Sequence, residues 1–351
     1  MSLYNQLDLK IFCQRVFERL GVESEQAYTA ADALVRANLE GVDSHGISRL
    51  AIYAKRMKEG RIQAAAQMTV EKKGESVLLV DGDHGLGQIV ASYAVKKGME
   101  LAKQTGLAAV AVKKSNHFGT ASYYCQMACE QGFGMMAFTN SPPGIPPWGG
   151  KKAFFGTNPI AFGFPTRSDT PVIIDMSTSV VARGKIILAA KQGQPIPKGW
   201  AINEHGEQTE DAEQALRGAV LPLGGAKGYA LALAIEILTG VLSGAAFGPH
   251  VKNMYEEHPD KSNIGHLFIL FDISKFMDLE YFTHLLEQFL EEVKSVPLAE
   301  GVDEIFYPGE RRAREYKNRL LQGISLSEEV ERELYALGES LDLRFPAAMT
   351  S

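Results

Sequence analysis

Little in this chain could serve as a covalent or metallic staple: its 351 residues include three cysteines, Cys13, Cys125 and Cys129. Three thiols make no disulfide framework, so a reducing compartment, the cytoplasm, is the expected location. Cys125 and Cys129 stand one helical turn apart in SYYCQMACEQG, with no second Cys/His pair at ligand spacing. Two buried thiols on a helix are expected there, and no metal. Long apolar runs are missing too: the most apolar stretch, Gly228 to about Leu242, is shorter than a bilayer span and carries Glu236. The opening residues MSLYNQLDLKIF lack the charged start and apolar run of a signal peptide. Lys and Arg are scattered and the net charge is −6, which argues against a nucleic-acid partner. There is no G-x-S-x-G elbow for a serine hydrolase and no H-x-x-x-H spacing for a metal-dependent lyase.

What is present is an ordinary globular composition, 45% hydrophobic and 22% charged, long enough for about two domains. The first seventy residues read as helices: Leu9 to Leu20, then Ser24 to Gly41 through the Ala-rich AADALVRANLE, then a third from Asp43-Ser44 to about Lys58. After Gly74 the texture changes. SVLLVDGD, LAAVAVKKS, GFGMMAFTN, PIAFGFPT, PVIIDMS and HLFILFDI are short β-rich runs, with helical stretches between several of them. That alternation predicts an α/β core over residues 75–295. Residues 1–74 and 296–351 are expected to pack as one smaller helical unit, with a capping box at Ser325-x-x-Glu328.

SVLLVDGDHGLGQIVASYAVKKG has the outline of a strand, a glycine turn and a helix. Gly85 and Gly87 are followed by Val90 where a Rossmann fingerprint needs Gly or Ala, and the next strand ends in Lys113-Lys114-Ser115 rather than an acid. Glycines of a tight strand-to-helix turn are the preferred reading.

Chemistry concentrates elsewhere. In Asp43-Ser44-His45-Gly46-Ile47-Ser48-Arg49-Leu50, helical spacing sets His45 and Arg49 on one face, with Tyr53 a turn beyond. Arg can grip a carboxylate with two prongs, and His can move a proton near neutral pH. The same spacing would also serve a plain solvated helix start. His117 follows a strand in KKSNHFG, where α/β sheets favour ligands, or it satisfies the core. His266 is ambiguous, and His84, His205, His250, His258 and His284 read as structural. The Pro/Gly-rich stretch Thr139–Gly150 and Gly156-Thr157-Asn158-Pro159 form a stiff loop of a length that is usually functional. Asp175–Ser179 is expected to open a helix and offer N–H donors, and Lys227 at another helix start suits an anion.

Taken in order, DSHGISRL, SNHFGTASYY, GTNPIAFGFPT, IDMSTS, LGGAKGYALALAIEILTGVLSG and Tyr307-Pro308-Gly309-Glu310 resemble the malate/L-lactate/sulfolactate dehydrogenase family. That family includes ureidoglycolate dehydrogenase, diketogulonate reductase and piperideine-carboxylate reductases. The resemblance covers essentially the whole chain. It implies an α/β (α+β-like) fold with a non-Rossmann nicotinamide-binding domain, a mixed sheet and a helical domain from both terminal segments. It also implies a homodimer, NAD or NADP as cofactor, and interconversion of a small 2-hydroxy acid with its 2-oxo acid. Reduction of a cyclic imine carboxylate or a sugar-derived 2-oxo acid is the alternative on the same fold. The family pattern puts Ser44, Arg49 and Tyr53 at the substrate and gives proton transfer to His117 or His45. It matches Ser141, Asp175, Met176, Ser177, Lys227, Gly309 and Glu310 to cofactor contacts.

Overall fold

A computed structural model describes residues 2–258 and 260–349. The chain begins with β1 (Ser2–Tyr4), α1 (Gln6–Arg19) and α2 (Ser24–Leu39). Asn5 caps α1 by accepting from the Leu7 N–H at 2.8 Å. Leu9, Phe12, Cys13, Val16 and Phe17, at helical spacing, form its buried stripe. The alanines of α2 let it pack closely, and its buried face carries Ala27, Ala30, Ala31 and Leu34.

The segment after α2 is not the single helix expected. It makes two 3-10 turns, Asp43–His45 and Ile47–Arg49, before α3 (Leu50–Lys58). Gly46 between them is extended, with φ −91° and ψ −148°. The cause is Asn38: its Oδ1 accepts from the Ile47 N–H at 2.7 Å, and its Nδ2 donates to Asp43 Oδ1 at 2.6 Å. A Cβ on residue 46 would overlap the Asn38 amide.

Next come β2 (Thr69–Gly74), β3 (Val77–Asp81), α4 (Gly87–Thr105), β4 (Leu107–Ser115), α5 (Ala121–Cys129), β5 (Phe133–Thr139), β6 (Ile160–Phe164) and β7 (Val172–Met176). After α6 (Arg183–Lys191), β8 (Ala201–Ile202), β9 (Gln208–Thr209), α7 (Ala212–Arg217), β10 (Ala219–Val220) and α8 (Ala226–Glu236), the long β11 (Ile264–Asp272) returns to the middle of the main sheet. Among the described residues that sheet has seven strands, ordered β2-β3-β4-β11-β5-β6-β7. Only β3 and β4 run parallel, joined by the α4 crossover; the other neighbours are antiparallel. The sheet is therefore mixed. β11 reads IGHLFILFD and is apolar on both faces because both are covered, Phe268 and Leu270 packing with α4 and α5 and Leu267 and Ile269 with α8.

The chain closes with α9 (Leu279–Ser295), α10 (Glu310–Gln322), β12 (Ile324–Leu326) and α11 (Glu328–Glu339). β12 pairs with β1, Tyr4 facing Ile324, and Ile324, Leu326, Leu334 and Phe345 join the core of α1, α2 and α3. The helix cap lies two residues later than the expected box: Ser327 accepts from the Val330 N–H, because Ser325 belongs to β12. Asp175–Ser179 does not open a helix either. The Val180 N–H donates to Leu221 O and the Leu223 N–H to Thr178 O, holding the segment extended until α6. β8, β9 and β10 form a small three-stranded sheet with α6 and α7 over a core of Val181, Ile186, Ile196 and Ala201. Strands of two residues give no readable alternation, so the sequence hides that unit. No helix among the described residues is long and apolar enough to cross a membrane.

Candidate active site

The would-be dinucleotide turn between β3 and α4 has another use. Asn116 Nδ2 donates to His84 O at 2.9 Å and to Gly85 O at 2.8 Å, binding the loop after β4 to the loop after β3. Gly87 lies so close beneath this loop that a Cβ there would overlap the carbonyls of Asn116 and His117. The glycines thus seat His117 rather than a pyrophosphate.

His117 meets the N-terminal helical segment here. Its ring stacks on His45 with centroids 5.4 Å apart, and its Nδ1 lies 2.6 Å from Tyr53 Oη. Ser44 Oγ is 2.9 Å from His45 Nδ1. Arg49 Nε donates to Ser44 O at 2.6 Å, which fixes the guanidinium and leaves its terminal nitrogens free of that bond. Its carbon lies 5.3 Å from the Tyr255 ring centroid. All five residues proposed for substrate binding and proton transfer thus come together, Ser44, His45 and Arg49 through two turns that Asn38 braces.

Burial holds both rings neutral. Loss of hydration lowers the His45 pKa to about 4, with the Arg49 charge adding to the effect and Asp175 opposing it. His117 is held well below the ordinary imidazole value by burial first, then by His45 and Arg49. Burial also pushes the Tyr53 hydroxyl up to about 12, so it remains a phenol. A neutral imidazole is the form that accepts a proton.

A cavity of about 1030 Å³ opens at this cluster, lined by Arg49, Tyr53, Asn116, His117, Ser141 and Thr157 among others. Ser141 belongs to the Pro/Gly loop, whose stiffness has a buried anchor. Glu236 accepts from Asn140 Nδ2 at 3.1 Å, Asn158 Nδ2 at 2.6 Å and the Gly248 N–H at 2.8 Å. The acid that interrupts the most apolar helix is therefore the loop's fastening.

The other residues matched to a cofactor lie outside that lining. Asp175, on β7, accepts from the Ser122 N–H and from Arg312 Nη1, both at 3.1 Å. Its charge reaches His45. Met176 is exposed at the end of β7, and Ser177 Oγ bonds Ser179 Oγ. Lys227 is exposed in the first turn of α8. Gly309 has φ +101°, and a Cβ there would meet Ile173 N at 2.9 Å, so glycine lets this loop run along β7. Glu310 accepts from Lys294 Nζ at 2.5 Å. His266 joins neither group: it is fully buried, bonds Thr139 and Ser115, and stacks under Phe118.

Sequence reasoning missed the α6 side of the cavity, with Arg183, Ile187 and Lys191, and the wall of residues 252–258. Arg56 holds it by donating to Met254 O and Glu256 O, and it brings Tyr255 against Arg49. Its only signal was a long charged stretch with one aromatic, NMYEEH.

The sequence pattern of the family described as malate/L-lactate dehydrogenase matches residues 5–335. The chain is 40% identical over 329 residues to a malate/(S)-sulfolactate dehydrogenase of Methanothermus fervidus, covering 94% of this chain and 95% of that one. It is 40% identical to a (2R)-3-sulfolactate dehydrogenase (NADP(+)) of Chromohalobacter salexigens, covering 92% and 94%. The solved malate dehydrogenase of Pyrococcus horikoshii superposes with a TM-score of 0.90 at 37% identity, covering 99% of this chain and 97% of that one.

Proposed function

The chain belongs to the malate/L-lactate dehydrogenase family, and from that premise we propose that it interconverts a small 2-hydroxy acid and its 2-oxo acid with NAD or NADP. The observation that carries this reading is the meeting of Arg49, Tyr53 and a neutral His117 at one cavity, with His45 stacked on the His117 ring. The lining also suits a dinucleotide. It exceeds what a small acid needs, and Arg183, Lys191 and Lys252 line it, the two lysines 3.7 Å from Glu329 and Asp260, acids that a diphosphate would replace as their partners. When bound, the nicotinamide supplies hydride exchange with the substrate's carbinol carbon.

Arg49 grips the carboxylate with its terminal nitrogens, fixing which face of the carbinol carbon is presented. His117 takes the hydroxyl proton in oxidation and returns it to the carbonyl oxygen in reduction. His45 and Ser44 orient the same oxygen. Ser141, the Asp175-Met176-Ser177 strand end, Lys227, Gly309 and Glu310 are assigned to holding the cofactor. The exposed apolar row Leu233, Ile237, Val241 and Leu242 on α8 and the turn after it supports a homodimer. A cytoplasmic location belongs to the same reading.

The test is chelator-treated protein, a panel of 2-oxo acids, and NADH or NADPH followed by absorbance. Cofactor oxidation indifferent to the chelator is expected; activity that needs an added metal and no nicotinamide would point to a lyase instead. His117→Ala should lower turnover by about 10²–10⁴. Turnover close to that of the parent would remove His117 from the mechanism.

A further inference from the structure

Behind His117 stands a buried amide that the proposed mechanism does not use. Gln88, in the first turn of α4, is fully buried, and its Nε2 donates to Tyr53 Oη at 3.2 Å. Tyr53 Oη in turn lies 2.6 Å from His117 Nδ1. The three groups form a chain running from the interior to the cavity. Its inner end is incomplete: Gln88 Oε1 is buried with no hydrogen-bond partner. An orphaned buried acceptor is costly, and a half-turn of the amide exchanges its oxygen and nitrogen.

We infer that Gln88 is a positioning residue that sets, through Tyr53, which ring nitrogen of His117 carries the proton. This rests on the reading of His117 as the proton-transfer residue. With Nε2 of Gln88 on Tyr53, the phenol proton points to His117 Nδ1, and the neutral ring keeps its own proton on Nε2. That tautomer presents an N–H and no lone pair to the cavity, so it can hydrogen-bond a carbonyl oxygen but cannot take the proton of a 2-hydroxy acid. After the half-turn, Gln88 Oε1 accepts the phenol proton and Tyr53 accepts from Nδ1–H. The lone pair on Nε2 then faces outward and accepts the proton of a 2-hydroxy acid, and the imidazolium so formed is the species that returns it in reduction. No atom is gained or lost between the two states; one amide turns, the phenol proton changes partner, and the ring proton moves between nitrogens. Glutamine suits this post because it is both donor and acceptor at one length, whereas a carboxylate or a thioether would hold one state or neither.

The experiment uses protein labelled with ¹⁵N-histidine, in which the side-chain signals of His117 are those lost in His117→Ala. Ring ¹⁵N shifts then read its tautomer, and kcat/KM is followed against pH in both directions. Gln88→Glu should place the proton on Nδ1 and raise the acidic limb of hydroxy-acid oxidation by about one pH unit, the lower end of a charge effect relayed through one phenol. Gln88→Met, which keeps the volume, should mix the tautomers and cut kcat about tenfold with KM nearly unchanged. It also serves if the carboxylate variant does not fold. Unchanged ring shifts and pH limbs in the variants, even with a lower kcat, would make Gln88 a packing residue and overturn the inference. A His117→Ala enzyme that turns over normally would sink the His117 reading itself; a dead one beside unaltered Gln88 variants sinks this inference alone.

Discussion

Arg49 shows how much geometry a single side chain needs before its charge is useful. Its Nε is committed to Ser44 O, so the fork is set before a carboxylate arrives. Arg49→Lys should therefore raise KM for the acid at least about tenfold while kcat changes less, since an ammonium cannot make the forked contact; steady-state kinetics reads this directly. The histidines carry a second consequence. His45, His117 and His266 stay neutral in the folded chain below the ordinary imidazole value of 6.5, while the unfolded chain protonates there. The unfolded state then binds more protons, so stability rises with pH across this window and is lost as pH falls from about 6.5 toward 4. Denaturant unfolding at several pH values should show that slope, and His266→Gln should remove about 1 kcal/mol per pH unit of it. The residue types at the site were legible in DSHGISRL and KKSNHFG. The contact of His45 with His117 was not, because 71 intervening positions give no local signal.

At the scale of elements, periodicity located nearly all the longer strands and helices, and failed where side chains override it. Asn38 splits the expected third helix into two tight turns. Thr178 and its neighbours bond across to Leu221 and Leu223, so the segment after Asp175 stays extended. The β3–α4 turn is the sharpest case, since its glycines mark close approach to the His117 loop. Gly87→Ala should cost about 1–3 kcal/mol of stability. It should also lower kcat at least about tenfold, as the loop carrying His117 is pushed off its seat. Thermal unfolding and kcat measured together would check this, and a variant as active as its parent would show that the loop can yield.

Over the whole molecule, the termini hold the site together. β1 pairs with β12, and Arg319 of α10 donates to Asp43 Oδ1 and Asn38 O, fastening the turns that present His45 and Arg49. The C-terminal helices therefore brace a site formed by residues far earlier in the chain. The apolar row on α8 and beyond belongs to the same scale. Sedimentation should give a mass near twice 38.3 kDa, and Val241→Glu with Leu242→Glu should return it to one chain. A parent protein sedimenting as a single chain would end the homodimer proposal.

The sequence by itself determined the type and order of most of the longer elements and the identity of the chemical groups, because apolar period and residue chemistry are local properties. It also held a broken dinucleotide fingerprint, since Val90 stands where close helix packing needs a small residue. Only the tertiary structure decided that β11 crosses back into the middle of the sheet, that Glu236 fastens the Pro/Gly loop, and that Gln88 and Tyr53 stand behind His117. Those facts depend on contacts between distant segments, where hydrogen-bond satisfaction and close packing select one arrangement, and no short window of sequence records the choice.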